Sequence, residues 1–104
     1  MKARTESRQG WIVEVEYGML NQRERDRIRD LLREVVSGFD LEPADHPREV
    51  LETRLVCRLF RVFWPIKRDH GVNIRRVIVN DVHAPLPDLE QSGKKESTRG
   101  GVKW

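Results

Sequence analysis

The first clear pattern in the chain is the alternation of hydrophobic and polar residues in the segment WIVEVEY, residues 11–17. Successive side chains of a β-strand point to opposite faces, so a period of two buries one set of residues and exposes the other. We therefore predict a half-buried strand at residues 11–17, with Glu14 and Glu16 facing water.

A pattern with the period of an α-helix follows directly. Asn21 and Glu24 have the spacing of a capping box, and Gly38 is placed to end the helix in a left-handed conformation. The hydrophobic residues between them form one stripe roughly 140° wide. They are Ile28, Leu31, Leu32, Val35, Val36 and Phe39. We predict an amphipathic helix whose opposite face is a solvated surface of ion pairs.

Residues 48–64 fit two structures. As a strand, RLVCRLFRVFWPI is rich in β-branched and aromatic residues, and KRDHG after it resembles a hairpin loop leading into a strand in NIRRVIVNDV. As a helix beginning at Pro47, the segment would align Arg54, Arg58 and Arg61 in one stripe, and Pro65 would end it. We favour the strand, because a helix would leave a sheet of only two strands.

These elements predict a single α+β domain at residues 10–90. In the favoured order, β-α-β-β, one amphipathic helix packs on a small, mainly antiparallel sheet; the alternative order is β-α-α-β. The chain has 104 residues, enough for one modest core. Residues 1–9 are polar and residues 91–104 are rich in Gly, Ser and Lys, so we expect both ends to be disordered.

The charge of the chain points to an acidic partner. The formal net charge is +3, and fifteen of the twenty basic residues are Arg, which binds phosphate and carboxylate in a bidentate manner. Five acidic residues stand against one basic residue from Asp40 to Glu52, and seven basic residues against one acidic residue from Thr53 to Arg76. The two segments either neutralise each other within the fold or leave a true basic patch.

The sequence lacks the motifs of several classes of protein. The single cysteine, Cys57, excludes an intrachain disulfide, and we expect it to be a buried, inert thiol. Glycine-rich phosphate loops and metal-ligand spacings are absent from the sequence, so we predict neither a metal nor another cofactor. The sequence contains no signal-peptide pattern and no apolar run of membrane length, which predicts a cytoplasmic protein without membrane contact.

Two groups of residues are candidates for chemistry. His83 closes the last predicted strand with Asp81 two positions earlier, so the two side chains would lie on one side of the strand as a catalytic acid/base pair. A strand-end polar pair that faces water is the alternative. Five arginines lie within an otherwise apolar stretch and are candidates for binding phosphate or an acidic partner. They are Arg54, Arg58, Arg61, Arg75 and Arg76.

Residues 50–85, VLETRLVCRLFRVFWPIKRDHGVNIRRVIVNDVHAP, resemble the C-terminal half of the RelE/HigB superfamily of toxin mRNA interferases. The matching places are Leu51 to Arg54, Phe60 to Trp64 and Val77 to His83. The resemblance implies a ribosome-associated endoribonuclease that needs no metal. It also implies that Arg54 and Arg61 contact phosphate, and that His83 or Asp81 transfers a proton.

Two functions therefore compete. The first is a small basic interaction protein that docks an arginine-lined sheet on an acidic protein or nucleoprotein, for instance a phage or mobile-element inhibitor. The alternative is the mRNA interferase of a toxin-antitoxin pair, acting on RNA or the ribosome. The weak catalytic constellation favours the first and the strand pattern favours the second. A homodimer through a strand face with Phe60, Phe63 and Trp64 is a further option.

Overall fold

The computed structural model describes residues 1–43 and 45–87. The elements in chain order are β1 (Lys2–Glu6), β2 (Ile12–Tyr17), α1 (Gln22–Asp40), α2 (Arg48–His70), β3 (Ile74–Val79) and β4 (Val82–Pro85). The strands form one antiparallel sheet in the order β1-β2-β3-β4, and both helices pack on one of its faces. The α+β class is confirmed, and the succession of two helices between strands fits the alternative order.

The first strand pattern and the first helix are confirmed. Val13 and Val15 of β2 are fully buried against the helices, while Glu14 and Glu16 lie on the uncovered face. The capping box of α1 is present: the Glu24 backbone N–H donates to Asn21 Oδ1 (2.8 Å), and the Asn21 N–H donates to Glu24 Oε1 (3.0 Å). The helix does not end at Gly38, however, but continues to Asp40.

The prediction of a strand in RLVCRLFRVFWPI, residues 54–66, is wrong, and the alternative, a helix over residues 48–64, is present. Helix α2 covers this segment and also the predicted hairpin loop, and it ends where Gly71 adopts a left-handed conformation with φ 65°. The buried side chains recur every four residues, which is a helical spacing. They are Leu51, Leu55, Leu59 and Phe63. Pro65 lies inside the helix rather than at its end, where it cannot donate a hydrogen bond to the Arg61 carbonyl.

The prediction of a disordered N-terminus is also wrong for β1. This strand pairs with β2 along its whole length, from Lys2 opposite Glu16 to Glu6 opposite Ile12. Sheet pairing satisfies the backbone of a segment whose side chains are mostly polar and exposed. The predicted tail at residues 91–104 and the end of the predicted domain, residues 88–90, lie outside the described residues.

The hydrophobic core lies between the sheet and the two helices. Its largest fully buried side chains are those of Trp11 and Phe63. The Arg48 guanidinium lies 4.0 Å from the centre of the Trp11 ring, so the first turn of α2 covers the start of β2. Within the described part of the chain, no helix combines the length and hydrophobicity that a membrane span requires.

Candidate functional site

The five candidate arginines do not form one arginine-lined sheet. Arg54, Arg58 and Arg61 belong to α2, in the helical layer, whereas Arg75 and Arg76 belong to β3. The helices cover one face of the sheet, and Arg76 pairs in register with Glu16 on the other face. The structure therefore divides the candidates into a helical group and a sheet group.

Arg58 is engaged within the fold. Its guanidinium forms a bidentate ion pair with Glu42, with Nη2 3.1 Å from Oε1 and Nη1 bonded to Oε2, and lies 5.4 Å from the centre of the Phe39 ring. The hydrogen bond with Glu42 raises the pKa of Arg58, and the same bond lowers the pKa of Glu42. Arg58 thus ties α2 to the acidic connection before it. At this position the acidic and basic segments neutralise each other.

Arg54 and Arg61 are exposed on the side of α2 that faces away from the sheet. Arg54 Nη2 lies 3.4 Å from His46 Nε2, and neither arginine forms a salt bridge with a described residue. Cys57 lies between them on the same side and is also exposed. The expectation of a buried thiol is therefore wrong, because the apolar run that contains Cys57 is a helix and Cys57 lies on its exposed side.

Two aromatic side chains lie on the same side of α2 as Arg54 and Arg61. The rings of Phe60 and Trp64 are stacked with centroids 6.2 Å apart, and both are half-buried. Phe63 does not belong with them, since it is fully buried in the core. We call the set of seven residues on this side the outer surface of α2. It comprises Val50, Thr53, Arg54, Cys57, Phe60, Arg61 and Trp64.

A β-bulge determines the position of the sheet arginines. Glu16 of β2 pairs with Arg76, but the next residue, Tyr17, pairs with Ile74, so Arg75 is the extra residue in β3. The extra residue reverses the alternation, which allows Ile74 to be fully buried while Arg75 is exposed and Arg76 half-buried. The two successive arginines between Ile74 and Val77 interrupt the alternation in β3, but the segment was predicted only as a regular strand, without a bulge.

His83 contacts Arg76 rather than Asp81. Arg76 Nη1 lies 3.4 Å from His83 Nδ1, and Arg76 Nε lies 3.5 Å from Glu16 Oε1. A guanidinium can only donate, so a hydrogen bond in this contact requires Nδ1 to be the acceptor. Asp81 is exposed in the turn between β3 and β4, and no hydrogen bond links it to His83 among the described residues. The predicted acid/base pair is not formed.

The uncovered face of the sheet carries charges of both signs. Lys2 lies 4.0 Å from Glu14, and Arg4 lies 3.3 Å from Glu6, in addition to the pair between Arg76 and Glu16. Exposed pairs of this kind contribute little to stability. Their effect here is to make the face a mixture of charges, without the excess of arginine that the sequence suggested.

A groove between the two helices was not predicted. Leu31 of α1 and Ile66 of α2 line it together with Val72, and its volume is about 600 Å³. His70 and charged residues of α1 line the same groove. Within residues 1–43 and 45–87, no group of three or more His, Cys, Asp or Glu side chains is arranged to hold a metal ion.

Comparison of the chain with protein-family models, curated proteins and solved structures gave no match. The resemblance to the RelE/HigB superfamily therefore stays a prediction, which these comparisons neither support nor contradict.

Proposed function

We propose that the protein is a small non-enzymatic interaction protein that binds an acidic partner protein through the outer surface of α2. One observation carries the proposal. Of the five candidate arginines, Arg54, Arg61 and Arg75 are exposed and form no salt bridge with a described residue, whereas Arg58 and Arg76 are paired with carboxylates. Of these three, Arg54 and Arg61 lie together on one helix beside the exposed Val50 and Cys57. Two exposed arginines that form no ion pair within residues 1–43 and 45–87 are available to a partner's carboxylates. Glu49 lines the same side of α2 without bonding to either of them.

The composition of the surface favours a protein partner over nucleic acid. Tryptophan, phenylalanine and arginine are enriched in the centres of protein interfaces, and here Phe60 and Trp64 adjoin Arg61. Binding to the nucleic-acid backbone draws its affinity from Lys and Arg side chains that neutralise several phosphates. The outer surface of α2 offers Arg54 and Arg61, together with the exposed Val50 and the exposed thiol of Cys57.

The second candidate is a metal-independent mRNA interferase, and one contact favours it. Arg76 and His83 lie 3.4 Å apart on the uncovered face of the sheet. A guanidinium that holds a phosphate beside an imidazole is an arrangement that suits RNA cleavage. Glu16 already occupies one edge of Arg76, and Asp81 does not orient His83, so this candidate has the weaker support.

Affinity purification with three tagged baits tests the proposal. The baits are the unchanged protein, the double variant Arg54→Gln/Arg61→Gln, and the control Arg23→Gln/Arg27→Gln, which removes two arginines of α1. We expect the first and third baits to retain an acidic protein that mass spectrometry identifies, and the second bait to lose it. Treatment with ribonuclease should not release the protein. Equal retention by all three baits, or release by ribonuclease, would contradict the proposal.

Incubation with RNA in the presence of EDTA tests the second candidate. Cleavage by the unchanged protein that His83→Ala abolishes would establish an interferase. For a non-enzymatic interaction protein we expect no cleavage by either form.

A further inference from the structure

Residues on the outer surface of α2 recur along the sequence with the spacing of a coiled-coil seam. Five of its residues follow one another at intervals of three, four, three and four positions. They are Val50, Thr53, Cys57, Phe60 and Trp64. All five are exposed or half-buried, and they lie roughly opposite the core stripe of α2 at 100° per residue.

Helix α2 therefore carries a second stripe that the core covers only in part, because Phe60 and Trp64 are half-buried and pack against the core whereas Val50, Thr53 and Cys57 are exposed. Leu55 and Leu59 of the inner stripe are fully buried, whereas Val50 of the outer stripe is 43% exposed and Cys57 is exposed. A helix that is apolar on two sides is commonly buried on both. Nothing in the described part of the chain covers the side chain of Cys57 or Val50, so a second apolar surface is available there.

A row of arginines flanks the outer stripe on one side. Arg54, Arg61 and Arg68 repeat every seven residues, as the stripe does, and all three are exposed. Arg68 bonds to Asp69, with Nε 2.9 Å from Oδ1, whereas Arg54 and Arg61 have no such carboxylate among the described residues. Flanking charges of a coiled-coil seam select the partner helix.

We propose that the outer surface of α2 binds one amphipathic helix of a partner protein, and that this helix carries acidic residues on the flank facing Arg54 and Arg61. The inference rests on the proposed function and specifies the form of the acidic partner. The seam extends from Val50 to Trp64, about 21 Å at 1.5 Å per residue. A partner helix of about four turns is long enough to cover it.

The arginine row argues against an antiparallel pairing of this surface with a second copy of the chain. A two-fold interface brings the same patch of both copies together. An antiparallel pairing of this surface with itself would therefore place Arg54 and Arg61 against the same arginines of the second copy. Like charges across an interface act as a repulsive element that discriminates against the wrong partner. An acidic flank supplies the opposite charge.

Three synthetic peptides of helical design test the proposal against the intact protein. The first has leucine at seam positions and glutamate at the flanks, the second has lysine at the flanks, and the third is a scrambled form of the first. The readout is the alkylation of Cys57 by iodoacetamide, because Cys57 is the only cysteine and lies at the centre of the seam. A bound helix should shield the thiol.

We expect the glutamate peptide to slow alkylation at least about tenfold at saturation, because a buried thiol is inaccessible. The lysine and scrambled peptides should have no effect at the same concentration. In Arg54→Gln/Arg61→Gln the dissociation constant for the glutamate peptide should rise about 2- to 30-fold, as expected for the loss of two exposed ion pairs. The control Arg23→Gln/Arg27→Gln should bind the peptide unchanged.

Three outcomes would overturn the inference: equal shielding by the scrambled peptide, shielding that is insensitive to the loss of Arg54 and Arg61, or no shielding at all. Shielding that grows with protein concentration in the absence of peptide would assign the surface to a second copy and would also overturn it. If these tests fail while an acidic protein is still retained through Arg54 and Arg61, the proposed function stands and only the helical partner is wrong.

Discussion

Placing an aspartate at position 57 should be almost neutral, although neighbouring Leu55 and Leu59 are fully buried. In helix α2 the Cys57 side chain is exposed. The helix propensity of aspartate is a few tenths of a kcal/mol less favourable than that of alanine. An opposite charge three or four residues away stabilises the helix by about 0.2 to 0.5 kcal/mol. Arg54 and Arg61 are at those distances from position 57. We therefore expect Cys57→Asp to change the free energy of unfolding by about 0.5 kcal/mol or less.

Leu59→Ala is the matched variant on the buried side of the same helix. Leu59 has no exposed surface, so truncating it should cost about 2 to 5 kcal/mol through lost burial and the cavity left behind. Urea titrations of both variants, followed by circular dichroism, measure the two changes. In a strand, residues 55, 57 and 59 would share one face, and a carboxylate at position 57 would be buried without a partner. A loss for Cys57→Asp as large as that for Leu59→Ala would refute the helix and its outer surface together.

Three further predictions concern the rest of the fold. Leu32→Ala should cost about 2 to 5 kcal/mol and Arg29→Ala less than about 1 kcal/mol in the same titrations, because Leu32 is buried and the ion pairs of Arg29 are exposed. The bond from Arg58 lowers the pKa of Glu42 below its ordinary value of 4.5, so this pair stabilises the fold above that pH, and the contribution is lost as the pH falls through the lowered pKa. Glu42→Gln should therefore reduce the loss of stability in acid, measured by urea titrations at a series of pH values. Deleting residues 1–6 should lower the Tm by about 4 °C or more, because it removes β1 from the sheet.

The sequence predicted β2 and α1 well because each has one buried side and one polar side. Val13 and Val15 alternate with glutamates, and the stripe of α1 has a capping box before it, so period and boundary agree. The α+β class followed from these elements and from the strand signal of β3.

The sequence did not identify α2 correctly because apolar residues occupy two sides of that helix. The inner stripe of Leu55 and Leu59 and the outer stripe of Cys57 and Phe60 together hide the helical period, and the β-branched and aromatic residues resemble a strand. Strand β1 was missed for a different reason. Strand β1 lies at the edge of the sheet, and only its Ala3 and Thr5 are partly buried. Neither residue is strongly hydrophobic, so the sequence shows no alternation of hydrophobic and polar residues.

The candidate site was only partly predictable. Arg54 and Arg61 were recognised as residues of interest, but their separation from Arg76 depends on residues 48–70 being a helix in the layer beside the sheet, which is a property of tertiary packing. The heptad spacing is present in the sequence, yet it has meaning only once residues 48–70 are known to be helical.

The central claim is that the outer surface of α2 is the docking surface, and amide NMR shifts of the labelled protein test it most directly. The titrant is the glutamate-flanked helical peptide, and an RNA oligonucleotide is titrated in a parallel sample. We predict that the peptide shifts amides from Val50 to Arg68 and leaves β3 and β4 unchanged. Shifts centred on Arg76 and His83, with either titrant, and none along α2 would contradict the claim.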